Sequence, residues 1–208
     1  ITWLYENKDI DTAIIIAPKG VYMNWKNSEI PTHLPDDIPK NVYVWKASAN
    51  KTEKAILEEG VKTRDKLRIL LVNVEAFATA KVIKYLEAFI HRSNFMLAVD
   101  ESTTIKNIKA KRTKSVLRLG QYAKYKRILT GSPITQSPMD LYSQCYFLDK
   151  DLLGFDSYWS FQGRYAIIRQ TRIGNHSFQQ IVGFRNLEEL TEKLHNFSYR
   201  VTKEQALD

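Results

Sequence analysis

The sequence predicts an α/β fold, a doubly wound parallel sheet with a helical C-terminal extension, and three observations predict it. Short apolar runs recur along the chain, each bounded by polar or turn residues. Amphipathic stretches of helical period lie between them. Past about Asp149 this alternation stops and an aromatic-rich, mixed segment follows. Runs that are apolar at every position suit strands covered on both faces, which is the situation of parallel strands flanked by helices.

The elements follow in order. Residues 1–8 (ITWLYENK) read as the tail of a helix. Strands are expected at Thr12–Ala17, 42–45, 67–72, 95–99 and 127–129, each bounded by polar or turn residues. Val82, Leu86 and Phe89 share one face, with Ile83 and Ile90 beside them, so residues 79–91 should be a helix. Leu187, Leu190, Leu194 and Phe197 step by three and four behind Asn186, which suits an N-cap. The whole chain reads as one lobe, in which residues 150–185 form a mixed helical extension packed on that lobe.

Composition narrows the class. At 208 residues, 44% hydrophobic and 26% charged, the chain can bury a real core as one domain. No run approaches the ~18 apolar residues needed to span a bilayer, and no secretory leader opens the chain. The single cysteine, Cys145, cannot form an internal disulfide, which suits a reducing, intracellular compartment. His33, His91, His176 and His195 are scattered without metal-ligand spacing. The first residue is Ile1 rather than Met, as expected of a piece of a longer protein.

Charge is unevenly spread. Residues 102–139 contain no Asp or Glu and carry Lys106, Lys109, Lys111, Arg112, Lys114, Arg118, Lys124, Lys126 and Arg127. Nine positive charges there, within a net charge of +8, leave the rest of the chain at −1. Such a field attracts polyanions, although by itself the block also suits a solvated basic helix.

Ligands of open α/β sheets collect at the carboxyl ends of the strands. The residues just after the expected strands are Pro18-Lys19-Gly20, Asn73-Val74-Glu75, Asp100-Glu101-Ser102 and Thr130-Gly131-Ser132-Pro133, and these should share one rim. An Asp ending a buried strand can hold Mg²⁺ through water, since this hard cation takes oxygen ligands. A Glu beside it can orient or deprotonate the water that attacks a γ-phosphate.

The run from Val99 through Asp100, Glu101, Ser102, Thr103, Thr104 and Ile105 to Lys106 and Asn107 resembles the Asp-Glu box of Swi/Snf-like superfamily-two ATPases. Residues 127–134 (RILTGSPI) resemble that family's Leu-Thr-Gly-Thr-Pro motif, and an aromatic-apolar helix follows at 139–148. Residues 14–25, with Pro18 and Trp25, and residues 70–77, with Glu75, are similar to the two motifs that precede the box. Residues 199–204 are similar to the Arg-Arg-Thr-Lys segment that closes the family's first lobe. Ser102 and Thr103 depart from the usual Ala and His, and Gln136 from the usual Asn.

The resemblance implies a RecA-like N-terminal ATPase lobe of a DNA helicase or translocase that uses ATP and Mg²⁺. Glu101 would be the catalytic carboxylate and Asp100 the Mg²⁺ residue. Thr130, Gly131 and Ser132 would couple nucleotide state to nucleic-acid contact. Pro18, Lys19, Asn73, Glu75, Lys106, Asn107, Lys109 and Lys111 would face DNA, and a second RecA-like lobe would be the other partner. Trp25 suits the core better than base stacking. No Gly of the chain is followed by Lys, so no phosphate-binding loop is present and no nucleotide-binding residue is assigned. The 208 residues alone should therefore not hydrolyse ATP. The rival from another class is a non-catalytic module that keeps the lobe for contacts with DNA or a partner. An RNA helicase of the DEAD-box type fits less well, because it has Ser-Ala-Thr where this chain has Thr-Gly-Ser.

Overall fold

The computed structural model describes residues 1–173, 176–201 and 205, and it divides into two units, Ile1–Asp149 and Lys150–Asp208. The first unit opens with α1 (Thr2–Glu6) and β1 (Thr12–Ala17). An irregular helical stretch follows: α2 (Tyr22–Asn24), a π-helical turn (Trp25–Glu29) and α3 (Ile30–His33). Then come β2 (Lys40–Val44), α4 (Lys51–Lys62), β3 (Leu67–Asn73), α5 (Ala80–Ile90) and β4 (Phe95–Asp100). The unit ends with α6 (Lys111–Gly120), β5 (Tyr125–Leu129) and α7 (Leu141–Leu148).

The five strands form a parallel sheet in the order β2-β3-β1-β4-β5. Winding reverses between β1 and β4, which makes the crevice above them the topological switch point. Side chains leave a strand alternately. Ile14, Ile16, Leu70, Val72, Leu97 and Val99 pack on one face with Val82, Leu86 and Phe89 of α5 and Val116 of α6. Ala13, Ile15, Ile69, Leu71 and Ala98 pack on the other face with Ile30, Leu34 and Ile38. Double-sided burial explains why these strands read as unbroken apolar runs. The edge strand β5 has no buried residue, and Leu129 is 44% exposed.

Local chemistry fixes the helices. Asn50 and Glu53 form a reciprocal capping box at the start of α4, which the sequence reading did not pick out. The amino end of the sheet is closed by Arg68, buried on β3, which donates to the carbonyls of Gly60 (3.0 Å) and Phe89 (3.1 Å) and to Thr12 Oγ1 (2.7 Å). This end carries structural polarity, and the carboxyl end is left for the chemistry.

The second unit contains α8 (Tyr158–Tyr165), β6 (Ala166–Ile173), β7 (His176–Phe184) and α9 (Leu187–His195). The expected helical extension over 150–185 needs correction, because β6 and β7 form an antiparallel pair running from Ala166↔Phe184 to Ile173↔His176. Ile167, Ile168, Thr171 and Ile173 make a β-branched run without helical period, and Phe178, Ile181 and Val182 answer it on the return strand. α9 lies where expected, but Asn186 does not cap it by a side-chain hydrogen bond. Its backbone is left-handed (φ 56°), and its Nδ2 donates to the carbonyl of Arg164 at 2.9 Å.

Candidate functional site

Parallel register sets the site. Ala17 pairs with Asn73, Ile16 with Val99, and Asp100 with Leu129. Asn73, Ala17, Asp100 and Leu129 therefore form one row across four adjacent strands. Of the residues that follow them, Pro18, Glu101 and Thr130 lie on the expected rim, while the Val74 side chain is buried in the core.

Asp100 is half-buried at the end of β4, and its two oxygens have separate partners. Oδ1 accepts the N–H of Glu101 at 2.9 Å, and Oδ2 accepts the indole Nε1–H of Trp25 at 2.8 Å. Glu101 is exposed, and its backbone sits in the left-handed region (φ 47°, ψ 59°), which non-glycine residues seldom adopt. This conformation turns the chain sharply out of β4 into the short 3₁₀ turn Ser102–Ile105. Among the described residues, no group of three His, Cys, Asp or Glu side chains could hold a metal. One carboxylate at a strand end does fit Mg²⁺, which is commonly held by one or two carboxylates with water and substrate phosphates making up the rest.

The loop after β5 is tied to this turn by two residues the sequence reading passed over. Gln144, fully buried on α7, accepts from Ser102 Oγ at 2.6 Å and donates to the carbonyls of Pro133 (2.8 Å) and Asp140 (2.7 Å). It thus bridges the Asp-Glu turn and the Thr-Gly-Ser-Pro loop. Asp140 gathers the end of that loop on one oxygen. Its Oδ2 accepts the N–H (3.0 Å) and Oγ1–H (2.8 Å) of Thr135, the N–H of Gln136 (3.0 Å) and Lys106 Nζ (3.4 Å). Burial pushes the Asp140 carboxyl up, but these donors and the Lys106 charge together hold it below its ordinary value of 3.8. Within the loop, Thr130 Oγ1 accepts the N–H of Ser132 (3.2 Å), and Ser132 Oγ donates to the carbonyl of Ile134 (2.9 Å). Gly131 and Ser132 are exposed. A polar residue within the apolar 139–148 stretch, and an Asp just before its helix, were the available sequence signals.

The other expected contacts lie around the rim. Pro18 and Lys19 form the turn after β1, where the carbonyl of Pro18 accepts the N–H of Val21 (2.9 Å) and of Tyr22 (3.0 Å). Asn73 Nδ2 donates to Glu75 Oε2 at 3.1 Å, so these two act together. Asn107 Oδ1 accepts the N–H of Lys109 at 2.9 Å, shaping the approach to α6. Two charges of the basic block are engaged within the chain. The Lys106 ammonium is engaged by Thr135 and Asp140, and Lys124 pairs with Asp9 at 2.8 Å. Lys111, Arg112 and Lys114 crowd the first turn of α6, which has no acidic residue and no side-chain cap. Cations at a helix N-terminus are unfavourable unless an anion answers them. Residues 157–187 form a second acid-free stretch, which holds Arg164, Arg169, Arg172 and Arg185 and no Asp, Glu or Lys. Residues 202–204 of the expected closing segment lie outside the described residues.

Comparison with known proteins agrees with this geometry. A family model described as the SNF2-related domain matches residues 1–203. A Drosophila melanogaster protein, the SWI/SNF-related matrix-associated actin-dependent regulator of chromatin subfamily A-like protein 1, is 36% identical over 109 residues, covering 52% of this chain and 14% of its own length. A probable ATP-dependent DNA helicase of Arabidopsis thaliana is 28% identical over 150 residues, covering 71% of this chain and 12% of its own length. The chain thus spans under a fifth of the length of these curated relatives. Among solved structures, the Sulfolobus solfataricus SWI2/SNF2 ATPase core in complex with dsDNA superimposes with a TM-score of 0.66 at 25% identity, covering 97% of this chain and 36% of that one. No helix among the described residues is long and apolar enough to cross a membrane.

Proposed function

The chain belongs to the SNF2-related domain family, and from that premise we propose that it is the first ATPase lobe of an ATP-dependent DNA translocase or helicase. The observation that carries this reading is the switch-point row. It sets Asp100-Glu101 beside the Thr130–Ser132 loop, with Gln144 linking the two. Asp100 would hold Mg²⁺ through water, and Glu101, exposed at the turn, would orient or deprotonate the water that attacks the γ-phosphate. Bound Mg²⁺ supplies neutralisation of the phosphate charge. Thr130, Gly131 and Ser132 pass the nucleotide state on to contacts with nucleic acid.

DNA, most simply a duplex, is the second substrate, a reading supported by the similar Sulfolobus solfataricus ATPase core, which was solved in complex with dsDNA. Pro18, Lys19, Asn73 and Glu75 lie along the same rim. Lys109 and Lys111 bring positive charge to the approach and first turn of α6, where a phosphate would relieve the unfavourable clustering of cations. The remaining parts are a phosphate-binding loop, which these 208 residues do not contain, and a second lobe. The open edge of β5, where no residue is buried, suits a further strand carrying that loop.

The test uses the full-length protein. Glu101→Gln keeps the shape of the side chain but removes its basic oxygen. Single-turnover hydrolysis should fall on the order of a hundredfold or more while ATP and DNA still bind. In parallel, the 208-residue chain alone should release no phosphate above background in the presence of DNA. Near-normal hydrolysis by the Gln variant would remove Glu101 from the chemistry.

A further inference from the structure

The Trp25–Asp100 hydrogen bond joins residues 75 positions apart at the switch point. Trp25 begins the π-helical turn Trp25–Glu29, inserted between α2 and α3. Such turns are rare and recur at functional sites, because the extra residue re-aims a side chain. The indole ring is partly buried against the cluster built on Ala13, Ile15 and Ala98, so the ring has an ordinary packing role. Packing alone does not require the N–H to meet a carboxylate. Trp45 marks the contrast, since its Nε1, also buried, has no acceptor in the structure.

The bond does something that the Glu101 amide cannot do alone. With only Oδ1 held, the carboxylate is free to rotate about its Cβ–Cγ bond. With Oδ1 on Glu101 and Oδ2 on Trp25, its plane is fixed. Donors that fix a metal-binding carboxylate tune the metal's affinity by orienting that carboxylate. We propose that Trp25 is a positioning residue whose indole N–H orients Asp100 for Mg²⁺. The helical stretch that carries it begins at the Pro18 turn, so the orientation of Asp100 is tied to the segment after β1. This inference rests on the assignment of Asp100 to Mg²⁺ made above.

Two measurements test it. The first needs no nucleotide. In the ¹⁵N-labelled 208-residue chain, Trp3, Trp25, Trp45 and Trp159 each give an indole N–H resonance, and Trp25→Phe identifies that of Trp25 by its loss. Asp100→Asn, which weakens the acceptor, should shift the Trp25 resonance upfield and leave that of Trp45 in place. The second uses the full-length protein and a non-hydrolysable ATP analogue. Trp25→Phe keeps an aromatic ring but removes the donor. It should raise the Mg²⁺ concentration for half-saturated nucleotide binding by a few-fold, less than Asp100→Asn does because Asp100 itself meets the metal through water, with DNA affinity unchanged. An unmoved Trp25 resonance overturns the proposal. So does a Mg²⁺ requirement that Asp100→Asn raises and Trp25→Phe does not. If Asp100→Asn itself leaves the Mg²⁺ requirement unchanged, the metal assignment falls and this inference falls with it.

Discussion

Replacing Asp140 by Ala removes the single oxygen on which the end of the loop after β5 is gathered. Four donors converge there: Thr135 through its N–H and hydroxyl, Gln136 through its N–H, and Lys106. Hydrogen bonds to a charged acceptor are worth about 1.5–3 kcal/mol each, so the gross loss would be large. The net loss is smaller, because Thr135 and Gln136 are exposed and their freed amides regain water. The partly exposed Lys106 pair contributes about 1 kcal/mol or less. A net destabilisation of about 2–3 kcal/mol follows, a sizeable share of the 5–15 kcal/mol typical of a domain. Asp140→Asn keeps an acceptor but not the charge, and should lose about half as much. The carboxyl is held below its ordinary value of 3.8 in the folded chain. Its charged form therefore stabilises the fold fully above that value, and the contribution is lost as pH falls through the lower, folded-state value. The Asn variant should lack this acid-sensitive component. Urea unfolding of the 208-residue chain at pH 7 and at stepped acidic pH gives the energies, and amide exchange at Thr135 and Gln136 reports the loop. A change below about 0.5 kcal/mol for Asp140→Ala, with unaltered exchange at both amides, would refute the reasoning.

Two further outcomes follow from other parts of the molecule. Replacing Lys109, Lys111 and Lys114 together by Gln should reduce the slope of log affinity for duplex DNA against log salt by about 0.9 for each phosphate no longer neutralised, and an unchanged slope would leave these lysines as a solvated face. Gly60→Ala should destabilise the first unit by about 1–3 kcal/mol, because the added Cβ would stand 2.8 Å from the Tyr43 ring; chemical denaturation measures it, and a neutral result would mean that the ring swings aside.

The sheet was legible because burial on both faces writes itself into the sequence as unbroken runs. Thr12–Ala17 was placed to the residue, and β3 and β4 within one residue at their carboxyl ends. β5 was read two residues short. Its first two positions are Tyr125 and Lys126, and an edge strand without a buried residue gives no apolar run to read. The β6–β7 pair was missed because its hydrophobic residues are largely exposed and interleaved with Arg and Gln, a pattern with no helical period and no simple strand alternation. At the site, the strand-end residues were legible through topology, which needs only the order of elements. Trp25, Asp140 and Gln144 were not. Trp25 and Gln144 act through side chains meeting across 75 and 42 positions, where spacing carries no information, and Asp140 acts mainly on Thr135 and Gln136, five and four positions before it, in a loop with no period to read.

Glu101 offers a way to separate the stability of this site from its chemistry. A left-handed backbone costs a residue with a Cβ roughly 1–2 kcal/mol, and Glu101 holds that conformation (φ 47°) without any side-chain hydrogen bond capping the turn it begins. Glycine carries no such penalty, but it gives up about 0.5–1 kcal/mol in unfolded-state entropy. Glu101→Gly should therefore be more stable than Glu101→Ala by about 0.5–1 kcal/mol, since Ala keeps the strain and lacks the carboxylate just as Gly does. In the full-length protein, both variants should lose hydrolysis equally. Strain kept where a glycine would relieve it is intelligible if the side chain is needed at that point. Denaturation of the three chains side by side decides the matter. If Glu101→Gly proves less stable than Glu101→Ala, the left-handed turn is not strained, and the presence of Glu there needs another cause.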